Sequence, residues 1–151
     1  IQDLAARGIK YGYMPQDYTE HMDPQQSAVE FLSRSGTREE LTTIRTYLGS
    51  LNFTAQEMDH AVAELSGGQR AKLYFAKMIL DRAEVLVLDE PTRNLSPLSG
   101  PEIRAALQDF GGCIIAVSHD RKFIAEVFQE VLSLDEEGLH PVAVSAELED
   151  S

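Results

Sequence analysis

Tryptophan is absent from the 151 residues, and cysteine occurs once, as Cys113. A single cysteine excludes an internal disulfide framework and any metal site of the Cys-x-x-Cys kind. Because Cys113 lies in the apolar stretch 113–117, we interpret it as a small, buried hydrophobic side chain. The sequence also lacks an apolar run near the roughly 20 residues that cross a bilayer, and it has no secretory signal. These absences are typical of a cytoplasmic protein.

Basic residues are few: 13 Lys and Arg stand against 25 Asp and Glu, which gives a formal charge of −12 at pH 7. A surface of that sign repels phosphate backbones, so we do not expect this segment alone to bind nucleic acid. The remaining composition is that of a globular protein. A chain of this length buries about 70% of its unfolded surface, which is enough for one domain.

The first half of the chain reads as one strand followed by a helical insert over residues 24–64. Residues 9–14 predict the strand, which ends at Pro15. Three Ser or Thr residues are each followed three positions later by Glu, a capping pattern that marks the start of a helix. The predicted helix starts are Ser27, Thr37 and Thr54. A further helix is predicted over residues 67–80.

The second half alternates strands and helices, which predicts a parallel sheet with right-handed crossovers. Its apolar runs are short and continuous, as expected for strands buried on both faces. The predicted strands cover residues 84–88, 113–118 and 130–134, and the predicted helices run from a Ser99 cap to about Asp109 and over residues 120–128. An acidic end follows, of which residues 146–151 are expected to fray.

Two adjacent glycines, Gly67 and Gly68, open the helix predicted at residues 67–80. Glycine lets backbone N–H groups approach a ligand closely, and the N-terminus of a helix favours an anion. The hydroxyl of Ser66 could cap the helix or donate to a phosphate oxygen. The alternative is an ordinary capping box between Ser66 and Gln69, with the glycines as a turn.

Two acids, Asp89 and Glu90, follow the apolar run at residues 84–88. In open α/β sheets, ligands bind at the carboxyl ends of the strands. An Asp at that position suits Mg²⁺, which is held by few carboxylates together with phosphates and water. The adjacent Glu can orient or deprotonate an attacking water. The alternative interpretation is a solvated strand end that is acidic by chance.

The apolar run at residues 113–117 is also followed by polar groups, Ser118 and His119. His119 could donate to a γ-phosphate; the alternative is an ordinary helix-start residue, with Asp120 as the cap. Gln16 follows the first predicted strand, where it could touch a metal ion or an attacking water. The other histidines lack such a context and are interpreted as surface residues: His21, His60 and His140.

Four stretches occur in an order and spacing that identify a family. They are Tyr13-Met14-Pro15-Gln16, Leu65-Ser66-Gly67-Gly68-Gln69, Leu88-Asp89-Glu90-Pro91-Thr92 and Ser118-His119-Asp120-Arg121. This set resembles the Q-loop, signature motif, Walker B motif and switch histidine of the ATP-binding cassette (ABC) ATPases. The resemblance covers nearly the whole chain.

The resemblance implies an α/β fold: a P-loop NTPase-like partial parallel sheet with helices, plus an inserted ABC helical subdomain. Residues 24–82 would form the helical signature subdomain, and residues 1–23 and 83–151 would form a portion of the catalytic core. It also implies ATP and Mg²⁺ as cofactors. The partner would be a second ABC cassette, in the same chain or in a dimer, because two cassettes of this family enclose two ATP molecules.

The resemblance also implies roles for individual residues. Asp89 would help to hold Mg²⁺, Glu90 would polarise the hydrolytic water, and His119 would stabilise the γ-phosphate. Gln16 would sense both the metal and the water.

The signature residues would contact ATP bound to the partner cassette: Ser66, Gly67, Gly68 and Gln69. A further stretch, Asn94-Leu95-Ser96, matches the D-loop that lines the dimer seam. Ser96 replaces the acid that is usual there, so the coupling between the two sites is expected to differ.

One family motif is missing. No G-x-x-x-x-G-K followed by Ser or Thr occurs in the sequence, so the Walker A loop that cradles the phosphates is absent. The sequence begins at Ile1 without Met, and the simplest interpretation is that it starts after this loop. ATP hydrolysis would then belong to the parent protein, and the isolated chain would turn over no ATP. We also expect a gap in the sheet before the last strand, filled by rearrangement, swapping or self-association.

Residues 90–99 and 118–123 resemble the ABC-F branch, and within it the second cassette of antibiotic-resistance (ribosomal protection) proteins. This branch has two linked cassettes, no membrane domain and the ribosome as its partner, here through regions outside this chain. Arg93 and Arg121 are interpreted as salt-bridge partners on an acidic surface. One alternative is the cassette of a membrane transporter, which would dock its membrane subunit near residues 17–34. The other is a non-catalytic interaction module.

Overall fold

A computed structural model describes residues 1–93 and 95–143. Three short strands form a parallel sheet in the order β1, β2, β3. They are β1 (Tyr11–Met14), β2 (Val85–Asp89) and β3 (Cys113–Val117). The predicted parallel sheet is therefore confirmed, with each strand within two residues of its expected bounds.

Helices occupy most of the chain between β1 and β2. They are α2 (Ala28–Leu32), α3 (Arg38–Ser50), α4 (Ala55–Asp59) and α5 (Gly67–Leu80). A short helix before β1, α1 (Gln2–Ala6), was not predicted from the sequence. The predicted caps are present: Ser27, Thr37 and Thr54 each accept a hydrogen bond from the backbone N–H three residues later. These local bonds satisfy N–H groups that a helix start leaves free.

Helix α5 joins this helical part to the sheet. Its apolar side chains, among them Leu73, Phe75 and Met78, share one buried core with Met14 of β1 and Leu86 of β2. The helix and β1 lie so close that a Cβ on Gly12 would come within 2.8 Å of Met78. The sheet and α5 are thus parts of one packed unit.

Lys72 ties α5 to its neighbours from inside the protein. Its side chain is almost fully buried, and its Nζ donates to Leu51 O at 2.7 Å and to Glu102 Oε2 at 2.6 Å. Leu51 is the C-cap residue directly after α3, and Glu102 lies in α6 (Gly100–Gln108). One ammonium group therefore holds three helices together.

The start of α6 differs from the prediction. Ser99 has helical backbone angles, φ −83° and ψ −20°, and caps nothing with its side chain. The expected partner, Glu102, is bound to Lys72 instead. Ser99 packs against the bare Cα of Gly68, since a Cβ there would lie 2.4 Å from Ser99 Oγ. Tertiary packing has overridden a local capping pattern.

Strand β3 is not buried on both faces, and the interpretation of Cys113 as a buried side chain is wrong. Cys113 is exposed, as are Ile115 (52%) and Val117 (59%). The alternate residues Ile114 and Ala116 pack against the core. β3 has one strand neighbour among the described residues, β2, and no described element covers its outer face.

The last predicted strand forms in a different setting. β4 (Val131–Asp135) pairs antiparallel with β5 (Gly138–Val142), and this hairpin is separate from the three-stranded sheet. The sequence did not predict β5. The hairpin turn needs Gly138, whose φ is +112°, a conformation that glycine adopts without strain. The expectation that residues 146–151 fray concerns positions outside the described residues.

The remaining helix, α7 (Arg121–Val127), begins where the sequence predicts, with the Asp120 carboxylate accepting from Phe123 N at 3.0 Å. Within residues 1–93 and 95–143, no helix is both long and apolar enough to cross a membrane. The three surface histidines are at least partly exposed, as expected.

Candidate active site at the strand tips

The carboxyl ends of β1, β2 and β3 lie side by side, because Met14 is in register with Leu88 and Asp89 with Val117. The polar residues that follow each strand therefore meet at one edge of the sheet. We call Gln16, Asp89, Glu90 and His119 the strand-tip cluster. Its members come from three separate parts of the sequence, so only the folded sheet brings them together.

One half of the strand-tip cluster joins β1 to β2. Gln16 Nε2 donates to Asp89 Oδ1 at 3.4 Å, a long hydrogen bond. Arg93 Nη1 donates to Gln16 Oε1 at 2.9 Å. Arg93 was interpreted as a salt-bridge partner, but its guanidinium lies on an amide oxygen instead. Arg93 reaches Gln16 because it lies in the turn that follows β2, with its N–H on Glu90 O at 3.1 Å.

The other half joins β2 to β3. His119 Nδ1 contacts Glu90 Oε1, and His119 N donates to Glu90 Oε2 at 3.4 Å. The Glu90 side chain is 13% exposed, whereas the His119 ring is 91% exposed. The carboxylate is thus sheltered and held in place, while the imidazole faces the solvent and can meet a ligand.

Glu90 has an unusual backbone conformation. Its φ is +49°, in the left-handed region that non-glycine residues seldom adopt and that often marks a functional position. Its N–H still donates to Val117 O at 2.8 Å, so the chain turns sharply just after the sheet ladder ends. The turn directs the Glu90 carboxylate toward His119.

A second layer of hydrogen bonds supports these contacts. Thr92 Oγ1 donates to Asp120 Oδ2 at 3.0 Å, and Asp120 N donates to Ser118 Oγ at 3.0 Å. Asp120 is therefore the cap of α7 and also a link between the loops after β2 and β3. This role of Thr92 was not predicted from the sequence, although its place two residues after the strand-end acids was the available signal.

The donor groups at the strand tips suit Mg²⁺. Within the described parts of the chain, no group of three or more His, Cys, Asp or Glu side chains is placed to hold a metal by itself. Asp89 supplies one carboxylate, and Gln16 adds an amide oxygen if its side chain turns. Mg²⁺ is commonly held by one or two protein oxygens, with phosphate oxygens and waters completing six ligands. This sparse oxygen set fits Mg²⁺ bound together with a nucleotide.

The signature residues 66–69 are organised by their own helix. Gln69 N donates to Ser66 Oγ at 3.2 Å, and Ser66 N donates to Gln69 Oε1 at 3.0 Å. The capping box considered from the sequence is thus present. Gly67 and Gly68 are the first two residues of α5 rather than a turn. No hydrogen bond within residues 1–93 and 95–143 joins the signature to the strand-tip cluster.

The structure places the predicted D-loop residues only in part. Asn94 lies outside the described residues. Ser96 is exposed, and its Oγ accepts from Leu98 N at 3.3 Å. The neighbouring Leu95 lies next to the signature, since a Cβ on Gly67 would stand 3.5 Å from Leu95 Cδ2.

Curated relatives share much of this chain. It is 32% identical over 136 residues to "ABC transporter F family member 2" of Arabidopsis thaliana, and the aligned region covers 90% of this chain and 20% of the relative. It is 30% identical over 136 residues to "Probable ATP-binding protein YheS" of Escherichia coli K12, covering 90% and 21%. It is 35% identical over 127 residues to "ATP-binding cassette sub-family F member 3" of Rattus norvegicus, covering 84% and 18%. The chain spans about a fifth of the length of these relatives.

Solved structures show the same fold. The dimeric cassette MJ0796 in a post-hydrolysis state, bound to ADP and Pi, matches with a TM-score of 0.73 and 19% identity over 95% of this chain and 67% of that one. A putative metal-chelate type ABC transporter in an inward-facing conformation matches with a TM-score of 0.73 and 18% identity, covering 90% and 59%.

The family model described as "ABC transporter" matches residues 2–93. That range contains Gln16, the signature and both Asp89 and Glu90. It is more than half of the 151 residues, and the F-family relatives extend the similarity over most of the remainder. The chain therefore belongs to the ATP-binding cassette family and is related to its F-type members.

Proposed function

We propose that this chain is part of a protein that binds and hydrolyses ATP with Mg²⁺, and that the strand-tip cluster is its hydrolytic centre. The observation that carries the proposal is the meeting of Gln16, Asp89, Glu90 and His119 at one edge of a parallel sheet. A carboxylate for metal, a second carboxylate for water and an imidazole for phosphate are groups that can support phosphoryl transfer to water.

The proposed roles follow from the exposure and contacts of each group. Asp89, with Gln16, holds Mg²⁺, which when bound neutralises charge on the phosphates. Glu90 is sheltered beside His119, so its carboxylate is fixed where it can orient a water and accept its proton. His119 faces the solvent. Because its Nδ1–H faces the acceptor-only carboxylate of Glu90, its Nε2 can donate to a γ-phosphate oxygen when the ring is protonated.

The signature is proposed to act on a different nucleotide. Ser66 is exposed at the start of a 14-residue helix, whose N–H groups and dipole favour phosphate. The signature shares no hydrogen bond with the strand-tip cluster in the described part of the chain. We therefore assign residues 66–69, together with Asn94 and Ser96, to ATP held by a second cassette.

The proposed ATPase function divides the chain into two parts and requires a Walker A loop that this sequence does not contain. Residues 24–82 form the helical signature subdomain, and residues 1–23 and 83–151 form part of the catalytic core. The helices between β1 and β2 and the strands outside them support this division. The Walker A loop comes from residues outside this sequence, so hydrolysis belongs to the parent protein and the 151-residue chain alone turns over no ATP.

The parent protein is proposed to be an ABC-F factor that acts on the ribosome, of the translation or antibiotic-resistance type. Two features support this branch: the amino-acid sequences of residues 90–99 and 118–123, and the F-family names of the relatives. Co-sedimentation of the parent protein with ribosomes in the presence of ATP would support the ABC-F function. Recovery in membranes with a membrane-spanning subunit would instead support a transporter.

The hydrolytic assignment is tested with Asp89→Asn in the parent protein. Loss of the carboxylate removes a ligand of Mg²⁺, so we expect hydrolysis to fall sharply and the Mg²⁺ concentration needed for half-maximal activity to rise. Asp3→Asn makes the same chemical change in an exposed position of α1 and should leave both quantities unchanged. Equal activity of the Asp89→Asn variant and the wild type would contradict the metal assignment.

A further inference from the structure

Arg93 has no part in the proposed mechanism, yet it contacts the strand-tip cluster directly. Its guanidinium donates to Gln16 Oε1 at 2.9 Å. On the other side of the same amide, Gln16 Nε2 donates to Asp89 Oδ1 at 3.4 Å. Gln16 therefore stands between a cationic side chain and the carboxylate proposed to bind the metal.

These two neighbours fix the orientation of the Gln16 amide. A guanidinium offers only donors, and an ionised carboxylate offers only acceptors. The amide oxygen must therefore face Arg93 and the amide nitrogen must face Asp89. A reversed amide would set donor against donor at Arg93 and acceptor against acceptor at Asp89.

A divalent cation at Asp89 requires the opposite orientation. Mg²⁺ and Mn²⁺ bind oxygen, and the NH₂ group that now faces Asp89 carries partial positive charge. If Gln16 is to become a ligand, its amide must turn over and Oε1 must leave Arg93. The guanidinium and the metal therefore compete for the same oxygen atom.

We propose that Arg93 is a positioning residue that holds Gln16 in its metal-free orientation, so that Gln16 becomes a ligand only when a cation displaces the guanidinium. Arg93 thereby raises the concentration of metal needed to engage Gln16. The competition between Arg93 and a cation for Gln16 Oε1 rests on the proposed metal site at Asp89. The orientation of the Gln16 amide by Arg93 does not depend on that site.

The hold is tested on the 151-residue chain without metal, through ¹⁵N relaxation of the Gln16 side-chain amide. We expect a restricted amide in the wild type and a mobile one in Arg93→Ala. Arg93→Lys keeps the charge but lacks the planar fork, so its amide should be intermediate. Arg38→Ala removes one exposed positive charge from the start of α3 and should change nothing. Equal mobility in the wild type and Arg93→Ala would overturn the proposal.

The competition is tested with Mn²⁺ alone, measuring free Mn²⁺ by electron paramagnetic resonance. Arg93→Ala should bind Mn²⁺ about fivefold more tightly, the factor that one exchanged hydrogen bond is worth. In a Gln16→Ala background, Arg93→Ala should raise the Mn²⁺ affinity by a smaller factor, because the oxygen for which the guanidinium and the metal compete is no longer there. Arg38→Ala again controls for net charge.

The outcomes separate the inference from the proposed function. No gain in Arg93→Ala, or an equal gain with and without Gln16, would overturn the competition and leave only a charge effect. Unchanged Mn²⁺ affinity in Asp89→Asn would refute the proposed metal site and with it the competition. A Gln16 amide that is restricted in the wild type and mobile in Arg93→Ala would still establish the hold by Arg93 in that case.

Discussion

Hydrogen bonds in the strand-tip cluster join residues 73 and 29 positions apart, whereas those in the signature join residues three positions apart. The cluster takes its geometry from the register of three strands, so it exists only when the sheet is formed. The signature takes its geometry from one helix start. The two groups should therefore respond differently to substitutions that loosen tertiary packing and to substitutions that alter a helix end.

Helix α5, which begins at the signature, is nevertheless held by buried contacts further along its length. Among the substitutions that test these contacts, Lys72→Met should lower the stability most. The substitution removes charge-assisted hydrogen bonds to Leu51 O and Glu102, and we expect the free energy of unfolding to fall by about 2 to 3 kcal/mol. Lys77→Met is the matched control, since Lys77 lies on the same helix and its Nζ stands 5.8 Å from the centroid of the Phe31 ring. Chemical denaturation of the two variants measures the difference. Equal losses would show that Lys72 does not join the helices.

The two signature glycines should differ although they are adjacent. A Cβ on Gly68 would stand 2.4 Å from Ser99 Oγ, whereas a Cβ on Gly67 would meet Leu95 at an ordinary 3.5 Å. Gly68→Ala should therefore cost about 1 to 3 kcal/mol through overpacking, and Gly67→Ala should cost less than about 0.5 kcal/mol. Thermal unfolding of both variants compares them. If Gly67→Ala were the more destabilising, the packing role assigned to Gly68 would be wrong.

The sequence predicted the parts of the molecule that depend on local pattern. The caps at Ser27, Thr37 and Thr54 and the whole of α5 form as expected, because each is decided within a few residues. The family resemblance identified the strand-tip residues, and the structure brings them together. Their direct contacts need the register of the sheet, which no local pattern contains.

The failures share a physical cause, which is that the environment of a side chain depends on distant neighbours. Cys113 lies in an apolar strand but faces solvent, because no described element covers that side of β3. Ser99 gives up its capping role to pack against Gly68. Arg93 was interpreted as a surface ion-pair residue, and its amide partner lies 77 positions away.

The smallest expected effect concerns a helix start outside both sites. Hydrogen bonds from the N–H of Arg34 and the hydroxyl of Ser35 lower the pKa of Glu40 to about 2 from 4.5. Because the folded-state pKa is depressed, the stabilisation is present above pH 4.5 and is lost as the pH falls toward 2. The stability difference between the wild type and Glu40→Gln should therefore shrink over that window.

The adjacent Glu39 provides the control for this titration. Glu39→Gln removes one negative charge from the same first turn of α3 but keeps the hydrogen bonds of Glu40. The difference in the free energy of unfolding between this variant and the wild type should therefore vary less with pH. Urea denaturation at several pH values measures both variants. A constant difference for Glu40→Gln would contradict the lowered pKa.

The most direct test of the account is ATP turnover by Glu90→Gln in the parent protein, with ATP binding measured in parallel. The amide cannot accept a proton from water, so we expect turnover to fall by about a hundredfold or more while ATP binding persists. Glu39→Gln should keep wild-type turnover. Unchanged turnover in Glu90→Gln would contradict the assignment of the strand-tip cluster as the hydrolytic centre.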